Sequence, residues 1–247
     1  GERRLTLEHA DPSAVLFASC IGHIFGPEPG EQGATAALLE LCELAGVALR
    51  TPAGMAGLCC GTPWKSKGHL SGYDLMRERV IPALIEATDR GRLPVVVDAS
   101  SCAEGLSRMV GSQLEAESIR VLDASTFVAE ELLDRLRIVK RLPSLTLHPT
   151  CASEALGSTA AMVRIAEAIA DDVHVPVDWG CCGFAGARGL LHPELTASAT
   201  AAEAAEVSSL GCAAHASSNR TCELALTRAT GRSYVSILEL LARESRP

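Results

Sequence analysis

Aromatic residues and lysine are scarce in this sequence of 247 residues: Phe, Trp and Tyr together make up 3%, and lysine occurs only three times. No stretch approaches eighteen uncharged apolar residues, so no transmembrane helix is expected. The net charge of −8 argues against nucleic acid as the main partner, because phosphate binding needs a basic surface. With so few aromatic residues, the core must consist mainly of Ala, Leu and Val.

We also expect no secretion-type leader, since the sequence begins at Gly1 and no apolar run follows a basic start. We expect an excised domain or a processed chain from a reducing cytosol. A disulfide framework fits poorly, because the chain is large enough to fold without one and two pairs of cysteines are adjacent in sequence. Such clusters more often bind metal or carry out redox chemistry. The ten cysteines are Cys20, Cys42, Cys59, Cys60, Cys102, Cys151, Cys181, Cys182, Cys212 and Cys222.

Eight of these cysteines fall into a frame that occurs twice. Cys-Cys-Gly stands at 59–61 and again at 181–183, 122 residues later. One cysteine precedes each Cys-Cys-Gly and another follows it by about forty residues. The frame therefore indicates a duplication, with a first repeat over residues 1–142 and a second over 143–247. Its two copies are Cys20, Cys59, Cys60 and Cys102, and Cys151, Cys181, Cys182 and Cys222.

The patterns around the frame alternate between strand and helix. Apolar runs at 13–19 and 145–150 predict strands that end at Cys20 and Cys151. An amphipathic helix is predicted after each. Alternation of this kind indicates an α/β fold of two pseudo-symmetric, Rossmann-like halves with parallel sheets flanked by helices, packed as one compact unit. Further strands are predicted at 49–55, 94–99, 173–178 and 211–216, and further helices at 72–87, 125–136, 193–206 and 233–242.

Four converging thiolates are soft ligands, suited to zinc or to an iron–sulfur cluster. A structural zinc site usually has two Cys-x-x-Cys hooks, and no Cys-x-x-Cys occurs here. Adjacent cysteines at a glycine turn reach different irons of a cluster more readily than one tetrahedral ion. The chemistry of the residues favours iron–sulfur over zinc, and zinc stays open.

The frame resembles the cysteine-rich CCG domain, which occurs twice in one component of heterodisulfide reductase and in iron–sulfur components of glycolate, lactate and glycerol-3-phosphate oxidising systems. The sequence around it is similar to the C-terminal iron–sulfur part of bacterial FAD-linked D-lactate dehydrogenases. Leu-Cys-Cys-Gly-Thr-Pro-Trp-Lys-Ser-Lys-Gly at 58–68 carries this likeness, together with the segments at 181–189, 193–198 and 218–223.

The resemblance implies that the eight frame cysteines hold one or two [4Fe–4S] clusters. It also implies FAD in a missing N-terminal oxidase domain, a ferredoxin-like module in the same protein, and a quinone or a cytochrome as electron acceptor. The fullest form of the motif ends each repeat in Cys-x-x-Cys, but Ala99 and Asn219 stand where the extra cysteine would be. Four cysteines per repeat suit an ordinary cube and speak against a noncubane cluster.

Three functions follow as hypotheses. The first is the iron–sulfur electron-transfer domain of a D-lactate-type dehydrogenase, cytoplasmic or at the inner face of the membrane. The second is a heterodisulfide or thiol reductase module, and the third is a zinc-stabilised docking scaffold. Outside the frame, Cys42 and Cys212 are expected in the core, His148 in an ordinary hydrogen bond, and Lys65, Lys67 and Arg188 at the surface.

Overall fold

Two four-stranded sheets organise the chain in the computed structural model, which describes residues 6–246. Their strands are short runs rich in Val, Leu and Ala, typical of parallel strands covered by helices on both faces. The first sheet contains β1 (Ala14–Phe17), β2 (Leu49–Arg50), β3 (Val95–Val97) and β4 (Val121–Asp123). The second contains β5 (Leu145–Leu147), β6 (Val173–His174), β7 (Ala214–Ser217) and β8 (Tyr234–Ser236).

Helices connect the strands in both halves. Those of the first half are α1 (Cys20–Phe25), α2 (Ala34–Leu44), α3 (Thr62–Ser66), α4 (Leu70–Ala87), α5 (Ser100–Gly111) and α6 (Ala124–Phe127). A π-helical turn over Val128–Leu132 and a 3₁₀ turn over Leu133–Arg135 continue α6. Those of the second half are α7 (Cys151–Leu156), α8 (Thr159–Ile169), α9 (Arg188–Leu191), α10 (Pro193–Leu210), α11 (Arg220–Thr230) and α12 (Ile237–Ser245). Further 3₁₀ turns lie at Met55–Gly57 and Leu114–Ala116.

Strand order is the same in both sheets. It is β2-β1-β3-β4 in the first and β6-β5-β7-β8 in the second, and every pairing is parallel. The strand that leads to Cys20 and the strand that leads to Cys151 thus hold the same place in their sheets. The predicted α/β class and the pseudo-symmetric halves are confirmed, whereas the division at residue 142 stays a prediction.

One apolar core joins the two halves. Leu16 and Val96 of the first sheet lie in the same cluster of buried side chains as Leu147 of the second, and all three are fully buried. Helices α2, α8 and α12 supply most of the remaining members, and α12 packs directly on α2. Because this cluster takes side chains from both sheets, the chain forms one compact unit, as predicted.

The outer faces of the two sheets differ. A large apolar cluster covers the first sheet and includes Val15 and Phe17 of β1 together with side chains from α4 and α5. On the second sheet the corresponding apolar cluster is small and includes Cys182, Phe184 and Cys222. Buried polar side chains occupy the rest of that face. They are Thr146, His148, Thr200, Glu203, His215 and Ser217.

The sequence patterns miss several elements near the ends of the halves. Helices α5 and α11, which carry Cys102 and Cys222, follow β3 and β7 directly. The helix predicted over 233–242 begins only at Ile237, because residues 234–236 form β8 against β7. Pro82 lies inside helix α4, which continues through it. Within residues 6–246, no helix combines the length and apolar character needed to cross a bilayer.

Candidate metal centre

Both Cys-Cys-Gly segments turn on a glycine in the left-handed conformation. Gly61 has φ +82° and Gly183 has φ +70°, values that residues with a Cβ rarely adopt. The turn at Gly61 is also crowded, since a Cβ there would lie 2.6 Å from Cε of Met109 and 2.7 Å from the ring of Tyr73. Both motifs therefore need glycine for the backbone conformation of the turn. At Gly61, glycine is also needed because the close packing leaves no room for a Cβ.

In the second half the structure brings all four frame cysteines into interaction. Cys182 Sγ and Cys222 Sγ lie 3.1 Å apart. Cys151, the first residue of α7, forms a hydrogen bond with Cys181. Cys182 and Cys222 are buried, whereas Cys151 and Cys181 are exposed. The four thiols thus meet as two pairs, one inside the protein and one open to solvent.

Each of these pairs favours one thiolate. The hydrogen bond from Cys151 lowers the pKa of Cys181 to about 5, and the backbone N–H of Gly183 stabilises the same sulfur. The hydrogen bond with Cys222 lowers the pKa of Cys182, assisted by the N–H of Phe184. The partner thiols keep their protons: the pKa values of Cys151 and Cys222 are raised, first by these same hydrogen bonds and then by burial. The thiolate is the form of cysteine that binds metal. The lowered pKa values of Cys181 and Cys182 therefore favour binding of a soft metal at this turn.

In the first half, three frame cysteines come together. The thiols of Cys102 and Cys59 both form hydrogen bonds with Cys60 and raise its pKa, and burial raises it further. Cys60 Sγ also lies 3.4 Å from the hydroxyl of Thr62. Cys20 is the first residue of α1 and is partly exposed. Sequence spacing predicts this grouping for all four; the structure shows direct interaction among Cys59, Cys60 and Cys102.

Within residues 6–246, no three His, Cys, Asp or Glu side chains surround a single point closely enough to hold one metal ion. The donor set is all thiol, and one of its members, Cys181, has a pKa lowered to about 5, so the set fits an iron–sulfur cluster chemically. Cys151, Cys181, Cys182 and Cys222 would hold it in the second half, and Cys20, Cys59, Cys60 and Cys102 in the first; these ligand roles stay predictions.

A buried histidine stands behind the second Cys-Cys-Gly turn. His148 Nδ1 lies 2.7 Å from Glu203 Oε1, and both side chains are almost fully buried. The ring meets Trp179 edge-on, with 6.4 Å between the centroids, and its charged form would lower the pKa of Cys181. The expected hydrogen bond of His148 is confirmed. Sequence pattern misses Glu203, because its partner is 55 residues away in sequence and helix α10 has no apolar stripe that marks an inward face.

The residues outside the frame lie where the sequence predicts them. Cys42 is buried in the shared core, and burial raises its pKa to about 12. Cys212 is buried as well. Lys67 and Arg188 lie at the surface, and exposed Lys65 places its ammonium group 5.3 Å from the centroid of the Tyr73 ring.

Residues 145–227 match the family model of CCG, described as a cysteine-rich domain. The second half of this chain is thus similar to the cysteine-rich CCG domain. The match spans β5 to α11 and contains all four cysteines of the second frame copy. The resemblance inferred from the duplicated frame is thereby confirmed, and the first half repeats the cysteine frame and the strand order of the CCG domain.

A curated relative extends the likeness beyond this domain. Lactate utilization protein A of Oceanobacillus iheyensis is 25% identical over 193 residues, which cover 73% of this chain and 74% of the relative. Among solved structures, an aspartate racemase homologue from Pyrococcus horikoshii aligns over 94% of this chain and 96% of its own, with 12% identity and a TM-score of 0.31. A likeness that low carries no argument about fold or function.

Proposed function

We propose that this chain is the iron–sulfur electron-transfer domain of a flavin-dependent D-2-hydroxy-acid dehydrogenase of the D-lactate type. The observation that carries the proposal is the meeting of all four frame cysteines at the second Cys-Cys-Gly turn, where Cys182 Sγ lies 3.1 Å from Cys222 Sγ and Cys151 is hydrogen-bonded to Cys181. The CCG match supports an iron–sulfur domain, and the likeness to a lactate utilization protein supports a lactate-related oxidoreductase system.

The cysteines and the backbone N–H groups of the chain would have separate roles in electron transfer. The frame cysteines would bind [4Fe–4S] clusters, which supply one-electron transfer when bound. The N–H groups of Gly183 and Phe184 would hold the ligand sulfurs as thiolates, and burial of Cys182 and Cys222 would keep water from the inner pair. Hydrogen bonds and burial of this kind set the reduction potential of a cluster.

The proposal includes partners outside this chain. An FAD-binding domain would oxidise the 2-hydroxy acid, and electrons would leave through this domain to a quinone or a cytochrome. The division of labour is chemically reasonable because flavin accepts a hydride, whereas a cluster passes single electrons.

The decisive experiment is metal analysis of the anaerobically purified chain, with its visible absorption spectrum. We expect iron and acid-labile sulfide together with broad sulfur-to-iron charge-transfer absorption. Cys182→Ala should remove the iron of the second half, and the matched control Cys42→Ala should keep the full complement, since Cys42 lies in the shared core. Zinc without iron would favour the docking scaffold. Turnover of a disulfide substrate by the isolated chain would favour the thiol reductase.

A further inference from the structure

The two sheets carry side chains of opposite character at equivalent positions of their outer faces. In the first half these positions are apolar, and in the second half their counterparts are polar. Four pairs are matched by their distance from a frame cysteine, and the fifth is matched by strand register. All of these side chains are buried except Val121, which is partly buried. The pairs are Val15 and Thr146, Phe17 and His148, Val95 and His215, Val97 and Ser217, and Val121 and Tyr234.

The helix that covers each outer face shows the same exchange at one position. Helices α4 and α10 both have 18 residues, and the eleventh residue is Val80 in α4 and Glu203 in α10. Val80 is fully buried and Glu203 is almost fully buried. The hydrogen-bonded pair of His148 and Glu203 therefore replaces Phe17 and Val80, which belong to one apolar cluster in the first half.

The polar layer on the second sheet is costly to bury. Thr146 Oγ1, His148 Nε2 and Tyr234 Oη are buried and have no hydrogen-bond partner within residues 6–246. Each such group loses its bonds to water on folding without a replacement. The first half builds the same strand order under an apolar face, so the fold itself does not require these polar groups. Their presence in the second half points to a function.

The polar layer reaches the second Cys-Cys-Gly turn. A Cβ on Gly183 would lie only 3.2 Å from a backbone oxygen of α10, so this helix packs directly on the turn. The charge of His148 acts on Cys181, and the charge of Glu203 acts on Cys182. Charges interact more strongly through protein than through water. A change of charge at the turn is therefore felt by the buried pair.

His148 keeps one ring nitrogen for a proton. An ionised carboxylate can only accept hydrogen bonds, so the Nδ1 that lies 2.7 Å from Glu203 Oε1 carries the proton of the neutral ring. The lone pair is then on Nε2, which has no partner in the described part of the chain. Protonation of Nε2 would place an imidazolium beside the carboxylate of Glu203, so the new charge has a counter-ion in position. Phe17 offers no such nitrogen in the first half.

We propose that the His148–Glu203 pair takes up a proton when the second half gains an electron, and that the first half has no such coupling. The inference rests on the proposed function, in which the thiols of each half hold a cluster. His148 would bind one proton from solvent at Nε2 for each electron that flavin gives to the second half, and would release it when that electron leaves. The proton balances the added negative charge in a part of the protein that water reaches poorly.

The other ionisable groups that face the pair keep their charge state above pH 6.5. Burial raises the pKa of Tyr234 on β8, so this phenol stays protonated. Burial lowers the pKa of His215 on β7 from 6.5, so this ring is mainly neutral. Cys181 and Cys182 would be thiolates bound to iron, and Arg228 of α11 stays charged. The His148–Glu203 pair is thus the group whose proton can follow the electron.

The test is a potentiometric titration of the anaerobically purified whole chain, followed by visible absorbance at intervals between pH 6.5 and pH 9. Cys60→Ala leaves the cluster of the second half for measurement, and Cys182→Ala leaves that of the first. In Cys60→Ala the midpoint potential should fall as the pH rises, with a slope that approaches one proton per electron. In Cys182→Ala it should stay level.

Two further variants in the Cys60→Ala chain assign the proton to the pair. Glu203→Gln keeps an oxygen that can accept the Nδ1 proton but removes the counter-ion, so the slope should disappear while the iron stays. The double variant His148→Phe with Glu203→Val carries the residues of the first half and should give the level profile of that half. His215→Gln is the matched control: this histidine lies on the same face, without a carboxylate partner in the described residues, and the slope should persist.

A level profile in Cys60→Ala, an equal slope in Cys182→Ala, or a slope that survives in Glu203→Gln or in the double variant would overturn the inference. Its failure is distinct from that of the proposed function. Iron with a level profile removes the proton coupling and leaves the electron-transfer domain, whereas a chain without iron removes both.

Discussion

Gly61 combines two demands at one residue, a left-handed backbone and direct contact with Met109 and Tyr73. Gly61→Ala should therefore lower the free energy of unfolding by about 2–4 kcal/mol, from backbone strain and from overpacking. Gly54→Ala is the matched control: Gly54 has φ +66°, but its Cβ would meet nothing within 4 Å. Chemical denaturation of both variants measures the difference. Equal losses would show that packing at the Cys-Cys-Gly turn contributes nothing.

Asp123 gives the chain a pH-dependent stability at the residue scale. Burial raises the pKa of this carboxyl from 3.8 to about 6, and the nearby Asp98 adds to the effect. A raised pKa means that the folded chain binds the proton more tightly than the unfolded chain does. The carboxyl therefore costs stability as the pH rises from about 4 to about 6.

Asp123→Asn removes this titration and keeps an oxygen that can accept the N–H of Ser125. Relative to the variant, the wild-type free energy of unfolding should fall by about 2–3 kcal/mol across that window and then stay level. Urea denaturation at intervals between pH 4 and pH 7 measures the two curves. Parallel curves would contradict the prediction.

Helix α4 continues through Pro82, whose ring removes one backbone N–H from the helix interior. Pro82 is exposed, so its replacement disturbs no core packing. Pro82→Ala should raise the free energy of unfolding by about 1–3 kcal/mol, because alanine restores the hydrogen bond and favours the helix. Pro193→Ala is the control: Pro193 opens α10, where the N–H would have no helical partner, and we expect little change. A similar gain from both would contradict this account.

At the scale of elements, sequence pattern predicts what is locally encoded. The apolar run at 14–17 and the helical spacing of apolar residues in α2 and α8 can be recognised in the sequence alone. Helix α11 escapes prediction because its buried residues mix the polar Thr221 and Glu223 with the apolar Cys222, Ala225 and Leu226. Strand β8 escapes prediction because it continues without a break into α12.

For the candidate site too, sequence pattern predicts only what is encoded locally. The duplicated frame predicts which cysteines gather, because their spacing repeats along the chain. Nothing local reveals the partnership of His148 with Glu203, nor the buried, unpartnered Nε2 of the same histidine, since each depends on how distant elements pack.

At the scale of the whole molecule, the proposed function separates two half-reactions. In a full-length enzyme, Cys182→Ala should leave flavin reduction by the hydroxy acid unchanged, because hydride transfer needs only the flavin and its pocket. Turnover with the natural acceptor should fall at least about tenfold, whereas turnover with a dye that takes electrons directly from flavin should persist. Stopped-flow absorbance of the flavin separates the two. Loss of flavin reduction in a folded variant would contradict the division.

The core shared by the two sheets also bears on chains that carry a single cysteine frame. If the first half stood alone, Leu16 and Val96 would lose the side chains of the second half that bury them. If the second half stood alone, Leu147 would lose those of the first half. Such a half would need a second copy of itself, and a cavity between identical copies would have identical walls. Joining two copies in one chain lets the walls differ. Asp98 and Ser218 both line the cavity between the halves and each stand four residues before the last cysteine of their frame, so one position carries a carboxylate in the first half and a hydroxyl in the second.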